Sequence, residues 1–138
     1  MITKPIPYGR QHITDEDIQC VIDALKSDYL TQGPKIKEFE EAFASYVGCK
    51  YAIAVNNATA GLHLAATVLD GNLGDKVIVT PLTFAASANC IRFRGGEVVF
   101  CDVEEDTYLM DIKKLSRLLS QSPKGTYKGI VLVDFAGY

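Results

Sequence analysis

The residues from Asn56 to Gly61 form the segment with the clearest potential for chemistry. They read Asn-Asn-Ala-Thr-Ala-Gly, follow a short apolar run that ends at Val55, and lead directly into a predicted helix. Small side chains on either side of Thr59 leave the backbone amides open, the threonine adds a hydroxyl group, and the positive end of the helix dipole favours an anion. A phosphate seat is one interpretation. An ordinary strand-to-helix turn with Asn57 or Thr59 as its N-cap is the other.

Other common signatures are missing from the sequence. It contains no Gly-x-Gly-x-x-Gly and no Gly-Lys-Ser/Thr loop, which disfavours a dinucleotide or a nucleoside triphosphate as the ligand. Its cysteines form no Cys-x-x-Cys pair, and its two histidines lie far apart, so no metal site is predicted. We interpret all the cysteines as small, reduced core residues: Cys20, Cys49, Cys90 and Cys101.

Further candidate residues follow the later strands of the predicted sheet. Phe84 lies in the loop from Thr80 to Asn89, among small residues where a flat ligand could stack, although a core position is the commoner role for phenylalanine. Asp102 and Asp134 each come after an apolar run. Each carboxylate is either a site residue or a helix cap or solvated loop residue. Ligands of open parallel sheets bind beyond the carboxyl ends of the strands, which is where these residues fall.

Two amphipathic helices precede these segments. Thr14 followed by Asp17 predicts a capping box at the start of the first helix. Pro34 suits the first turn of the second helix, and Gly48 closes it. The first helix carries an apolar stripe at i, i+3, i+4 and i+7, consisting of Ile18, Val21, Ile22 and Leu25. We expect residues 1–50 to form an amino-terminal helical arm.

From residue 51 onward, short apolar runs alternate with helical patterns. The helical patterns comprise an apolar stripe up to Leu69, a small-residue segment from Ala85 to Phe93 and a helix capped by Asp111. Repeated β-α units with continuously apolar strands predict the α/β class, with a mostly parallel sheet flanked by helices. Four runs predict the strands: Ala52–Val55, Val77–Val79, Val98–Cys101 and Ile130–Val133.

Composition and charge argue against several kinds of partner and location. The net charge of −3 and the scattered lysines argue against nucleic acid, and the sequence has neither a membrane-length apolar run nor a secretory signal. We expect a cytoplasmic protein with no membrane partner. The sequence stops at Tyr138, directly after a predicted strand that should feed another crossover. We therefore expect a fragment, with residues 51–138 forming an incomplete domain.

Three segments in this order resemble the amino-terminal third of the DegT/DnrJ/EryC1/StrS sugar aminotransferases. They are Leu30–Pro34 leading to Phe39–Phe43, then Ala54–Leu62, then Thr80–Asn89. The opening at residues 6–11, the stretch at residues 27–33 and the end at residues 133–137 are most similar to one branch of the family. That branch aminates UDP-4-keto-6-deoxy sugars on the route to pseudaminic acid.

The resemblance implies the amino-terminal part of the large domain of a fold-type-I, aspartate aminotransferase-like enzyme. Such an enzyme uses pyridoxal 5'-phosphate (PLP) and is usually a homodimer. On this resemblance Ala58, Thr59 and Ala60 would hold the cofactor phosphate, Phe84 would cover the pyridine ring, and Asp134 would border the cofactor pocket. The residues that would approach the nucleotide sugar are Tyr8, Asp28, Tyr29, Leu30 and Thr31.

The resemblance also indicates what these residues lack. A transaminase needs a lysine amine that holds the cofactor covalently and moves a proton. The family's lysine lies further along the chain than Tyr138, and no lysine of this sequence matches its segment, so we assign no catalytic residue. The full-length protein is expected to move an amino group, from glutamate, to a UDP-4-keto-6-deoxy-N-acetylhexosamine in nucleotide-sugar biosynthesis. This fragment is expected to be inactive alone.

Two alternatives remain open from the sequence. In the first, the full-length protein is a PLP-dependent sugar dehydratase of the same family, with histidine in place of the lysine. In the second, the chain is a non-catalytic module that binds a phosphorylated ligand in the crevice of its sheet.

Overall fold

The structure, a computed structural model, describes residue 7, residues 9–69 and residues 73–138. The chain divides into two compact units, Met1–Ala54 and Val55–Tyr138. The first unit is helical, and the second contains a sheet with helices.

The first unit contains helices α1, Asp15–Lys26, and α2, Pro34–Val47. The start of α1 is a capping box. The Thr14 hydroxyl oxygen accepts a hydrogen bond from the Asp17 backbone N–H at 3.2 Å, and the Asp17 carboxylate accepts the Thr14 N–H at 2.8 Å. The box predicted from sequence is confirmed.

Both ends of α2 also follow the prediction. Pro34 occupies the first turn, where its missing N–H costs nothing. Gly48 ends the helix with a left-handed φ of 71°, a conformation that glycine adopts without a steric penalty.

The predicted first strand, Ala52–Val55, is wrong. Residues 51–55 have no regular secondary structure, and the side chain of Ile53 is 77% exposed. A strand requires a neighbour that offers alternating N–H and C=O groups, and the strands within the described residues pair only with one another. Glu40 substitutes for one such contact, because its Oε1 accepts the Ala54 N–H at 2.8 Å.

The second unit is built on three parallel strands. They are β1, Lys76–Val79, β2, Glu97–Phe100, and β3, Tyr127–Val131, in the spatial order β2-β1-β3. Ile78 at the centre pairs with Val99 on one side and with Ile130 on the other. The three later strands predicted from sequence are confirmed, although β3 begins three residues earlier than expected.

Helices cover both faces of this sheet, which confirms the α/β class. The helices are α3, Ala58–Val68, α4, Ala86–Arg92, and α5, Ile112–Ser120. On one face α3 and α4 pack against Val77 and Val79, and the ring of His63 on α3 stacks on Phe93 at 5.7 Å. On the other face α5 packs against Ile78 through Leu115 and Leu118.

The direction of α3 places its start at the end of the sheet where the strands finish. Leu69, just after α3, lines a small apolar cavity with Asp75 and Gly96, which directly precede β1 and β2. The carboxyl end of α3 therefore lies at the amino edge of the sheet. Its first turn must lie toward the opposite edge, where the strands end; we call this the carboxyl edge.

The cysteines divide into two groups, all of them free. Cys90 and Cys101 are buried beside the sheet, as predicted. The prediction is wrong for Cys20 and Cys49, which are exposed. Cys20 lies on α1, none of whose residues is buried, and Cys49 follows the helix-ending Gly48.

No helix in the described part of the chain is long and apolar enough to span a membrane. No group of three or more metal-ligating side chains converges there either.

Candidate functional site

The first turn of α3 offers unpaired hydrogen-bond donors. Asn57 is its N-cap, and the Oδ1 atom of Asn57 accepts the Ala60 N–H at 2.9 Å. The Gly61 N–H bonds to the Asn57 carbonyl at 3.3 Å. No partner for the N–H groups of Ala58 and Thr59 lies within the described residues. The N–H groups of Ala58 and Thr59 are thus still available among the donors that every helix start leaves open.

The chemistry of this turn suits an oxyanion. The Thr59 side chain is exposed, and its hydroxyl has no hydrogen-bond partner in the described part of the chain. No acidic residue lies in the first turn, so nothing opposes the helix dipole. The two interpretations of this segment do not exclude each other, because Asn57 caps the helix and still leaves donors for an anion.

An unpaired hydroxyl marks the end of the central strand. Thr80 directly follows β1, is 1% exposed, and its Oγ1 has no hydrogen-bond partner among the described residues. Nearby, the hydroxyl groups of Thr83 and Ser87 lie 2.8 Å apart and bond to each other. Sequence reasoning missed Thr80. The available signal was a hydroxyl residue at the end of an apolar strand that the sheet buries from both sides.

Phe84 lies between β1 and α4 and exposes 78% of its surface. Its carbonyl accepts the Ser87 N–H at 3.0 Å, which holds the backbone at the start of α4 while the ring stays outside the core. The core role considered from sequence is wrong. The ring is free to stack on a planar ligand at the carboxyl edge.

Asp102 is a paired loop residue. Its carboxylate accepts a hydrogen bond from the Lys114 ammonium at 2.8 Å and one from the Val103 N–H at 2.9 Å. The Lys114 contact, followed by the Val103 contact, lowers the pKa of Asp102. The Asp102 contact correspondingly raises the pKa of Lys114, with a smaller contribution from Asp111. Lys114 is therefore held as an ammonium ion, which is not a nucleophile.

Asp134 follows β3 and starts a short 3₁₀ turn, Phe135–Gly137. Its side chain is exposed, and its carbonyl accepts the Gly137 N–H at 3.0 Å. Because β3 runs parallel to β1, Asp134 lies at the same edge as Thr80 and Phe84.

The predicted site residues fall into two groups. The second unit carries residues 58–60, Phe84 and Asp134 at its carboxyl edge. The first unit carries Asp28, Tyr29, Leu30 and Thr31, all exposed in the connection between α1 and α2. Tyr8 lies outside the described residues.

Comparison with protein-family models identifies a match over most of the chain. The model of the DegT/DnrJ/EryC1/StrS aminotransferase family matches residues 11–138. The chain belongs to this family. The family assignment inferred from the three sequence segments is confirmed.

Individual family members cover nearly the whole chain. A Campylobacter jejuni UDP-4-amino-4,6-dideoxy-N-acetyl-beta-L-altrosamine transaminase is 43% identical over 96% of this chain and 34% of the relative. The PMP-form of Spr1654 from Streptococcus pneumoniae, a sugar aminotransferase by its name, superposes with a TM-score of 0.84. That match has 35% identity and covers 96% of this chain and 32% of the other.

An enzyme of pseudaminic acid biosynthesis also matches the chain. PseC of Helicobacter pylori, an aminotransferase involved in pseudaminic acid biosynthesis, superposes with a TM-score of 0.83 at 31% identity. The match covers 97% of this chain and 35% of PseC. The chain spans about a third of the length of the relatives that it matches.

Proposed function

We propose that the protein to which this chain belongs is a PLP-dependent transaminase of nucleotide sugars. It would transfer the amino group of glutamate to a UDP-4-keto-6-deoxy-N-acetylhexosamine in pseudaminic acid biosynthesis. The observation that carries the proposal is the first turn of α3, which offers the two open N–H groups of Ala58 and Thr59. The likeness to the Campylobacter and Helicobacter enzymes supports the choice of sugar.

The residues at the carboxyl edge fit the two chemical parts of PLP, an anionic phosphate and a flat pyridine ring. The N–H groups of Ala58 and Thr59 and the Thr59 hydroxyl would bind the phosphate. Ala60 would contribute its small side chain, because Asn57 already occupies its N–H. The exposed ring of Phe84 would cover the pyridine. Asp134 would border the pocket.

When bound, PLP supplies an electron sink for cleaving a bond at the amino-bearing carbon. The residues of this chain would anchor and orient the cofactor by its phosphate and its ring. We assign no residue of this chain as the amine that moves the proton. Lys114 lies at the carboxyl edge, but its contact with Asp102 keeps it as an ammonium ion. On the family resemblance, that amine comes from a lysine outside this sequence.

The remaining predicted residues would bind the substrate. Tyr8 and the connector residues Asp28, Tyr29, Leu30 and Thr31 would approach the nucleotide sugar. We further propose that the whole protein is a homodimer that works in the cytoplasm.

The decisive experiment supplies the whole protein with PLP, glutamate and the UDP-4-keto-6-deoxy-N-acetylhexosamine. We expect one 2-oxoglutarate to form per amino sugar, measured by mass spectrometry and an enzyme-coupled assay. Loss of a sugar hydroxyl without amination would instead establish the dehydratase alternative. Binding of PLP without any turnover of the sugar would favour the non-catalytic module.

A second measurement tests the assignment of the lysine. The 138-residue polypeptide is mixed with PLP, treated with borohydride and mapped by peptide mass spectrometry. We expect no stoichiometric adduct at any single lysine. One clean adduct would place the cofactor-binding amine within this chain and overturn that part of the proposal.

A further inference from the structure

An aromatic contact joins the connections that follow the two outer strands. The rings of Tyr108 and Phe135 lie 5.5 Å apart, centroid to centroid, with their planes inclined by 55°. Tyr108 lies between β2 and α5, whereas Phe135 comes after β3. Because β2 and β3 flank β1, this contact bridges the carboxyl end of the central strand.

Tyr108 is held by a short hairpin, residues 103–110. Val103 and Met110 form an antiparallel bridge, the Glu104 N–H bonds to the Leu109 carbonyl at 2.9 Å, and the Tyr108 N–H bonds to the Glu104 carbonyl at 3.0 Å. Met110 is 4% exposed. It packs in the core beside the sheet, so the base of the hairpin is fixed while its tip reaches toward Phe135.

Unusual backbone geometry occurs on both sides of the contact. Tyr108 has a φ of 59°, and Ala136, next to Phe135, has a φ of 54°. Only one other non-glycine residue in the described ranges, Gln32, has a positive φ. Residues with side chains rarely adopt this region, and such strain persists only where the surrounding structure enforces it. The paired strain indicates that the Tyr108–Phe135 contact is built into the fold.

We propose that Tyr108 is a positioning residue for Asp134. The Tyr108 ring holds the Phe135 ring, and the peptide bond between Phe135 and Asp134 transmits this constraint to the Asp134 backbone and hence to its carboxylate. This inference rests on the proposed function, in which Asp134 borders the cofactor pocket. The Tyr108 hydroxyl has no hydrogen-bond partner among the described residues, so the ring and not the hydroxyl performs this role.

The test uses the whole protein. Its variants separate the effect of the Tyr108 ring from the effect of the left-handed backbone at this position. Tyr108→Phe keeps the ring, while Tyr108→Asn removes it but tolerates a left-handed backbone. Phe135→Leu removes the same contact from the other side, and Asp134→Asn provides the reference for a lost carboxylate. The measurements are the dissociation constant for PLP, the pH dependence of the visible absorbance of the bound cofactor, and the melting temperature.

We expect Tyr108→Phe to match the wild type in all three measurements. Tyr108→Asn and Phe135→Leu should each weaken PLP binding about two- to tenfold, the range for loss of an aromatic pair. Both should shift the pH dependence in the same direction as Asp134→Asn. This shared shift distinguishes positioning from a structural role, since general loosening would lower the melting temperature without reproducing it.

The results that would contradict the positioning role of Tyr108 differ from those that would contradict the proposed function. If Asp134→Asn shifts the pH dependence while Tyr108→Asn and Phe135→Leu do not, the positioning role is overturned and the proposed function stands. If the unaltered protein binds no PLP, the proposed function fails and this inference fails with it. Should one contact variant not fold, the other gives the same decision.

Discussion

The side-chain oxygen of Asn57 lies 2.9 Å from the backbone nitrogen of Ala60 and closes the first turn of α3. The cap takes one donor of the helix start and leaves the donors of Ala58 and Thr59 open. In the proposed function, folding and anion binding would therefore use different atoms of the same turn, and substitutions at Asn57 should separate the two effects.

Asn57→Ala should destabilise the protein by about 1 kcal/mol, the usual cost of losing an N-cap. Asn57→Asp should keep the cap and the stability, because aspartate caps helices as well as asparagine does. Its negative charge should nevertheless weaken phosphate binding, by about tenfold or more. Urea unfolding and titration with PLP measure the two effects. Equal PLP affinity in the Asp variant and the wild type would contradict the placement of the anion.

Thr59→Val should weaken the binding of PLP about tenfold, because it removes a neutral donor to a charged phosphate without changing the side-chain volume. The matched control is Thr67→Val on the same helix, whose hydroxyl bonds to the His63 carbonyl instead. Pyridoxal, which lacks the phosphate, provides the second control. A loss of affinity for pyridoxal as large as that for PLP would contradict a phosphate-binding role for Thr59.

Phe84→Leu should leave the free energy of unfolding within about 0.5 kcal/mol of the wild type, because the ring is exposed. It should weaken PLP binding, because the stacking surface is lost. Phe93→Leu is the control: Phe93 is also exposed, at 61%, but directly follows α4 and precedes β2, at the amino edge of the sheet. Both variants are compared by urea unfolding and PLP titration. A similar loss of PLP affinity in both variants would contradict a specific role for Phe84.

Thr80→Val should stabilise the protein by about 1 kcal/mol, because valine replaces an unpaired buried hydroxyl with a methyl group of similar size. Thr83→Val should do the opposite, since it breaks the 2.8 Å bond to the Ser87 hydroxyl. Urea unfolding measures both. Destabilisation by Thr80→Val would mean that a partner from outside the described residues satisfies this hydroxyl in the whole protein.

Lys114→Met should raise the pKa of Asp102 toward its ordinary value of 3.8, because the contact that lowers it most is removed. A carboxyl with a lowered pKa in the folded state contributes stability above its ordinary pKa, and this contribution is lost as the pH falls through the lowered value. The pKa is read from the carboxyl carbon shift in an NMR titration. An unchanged Asp102 pKa in the variant would show that the ion pair does not form in solution.

Local signals in the sequence predicted most helix ends because helix ends depend on neighbours along the chain. The Thr14–Asp17 box, Pro34, Gly48 and the Asp111 cap all involve contacts within a few residues. The strand at residues 52–55 failed for the opposite reason. Its apolar composition is local, but a strand exists only with a neighbour, and sequence composition alone does not supply one.

In the candidate site, too, local features could be predicted from the sequence and features that depend on folding could not. The donors of Ala58 and Thr59 could be predicted because they belong to one helix start. The unpaired state of Thr80 could not, since it depends on what surrounds the hydroxyl after folding. The contact between Tyr108 and Phe135 spans 27 positions of the sequence and arises only because the strand order brings β2 and β3 to either side of β1.

The two open donors of α3 belong to the main chain, which gives them an unusual evolutionary property. A point mutation can delete a side chain, but it cannot delete a peptide N–H unless it introduces proline. If the proposed function holds, a lineage that diverges from this chain could therefore exchange its aromatic and connector residues, and with them its preferred sugar, while it keeps the two main-chain donors that would bind the phosphate. The fold itself, more than any one amino acid, would preserve that binding site.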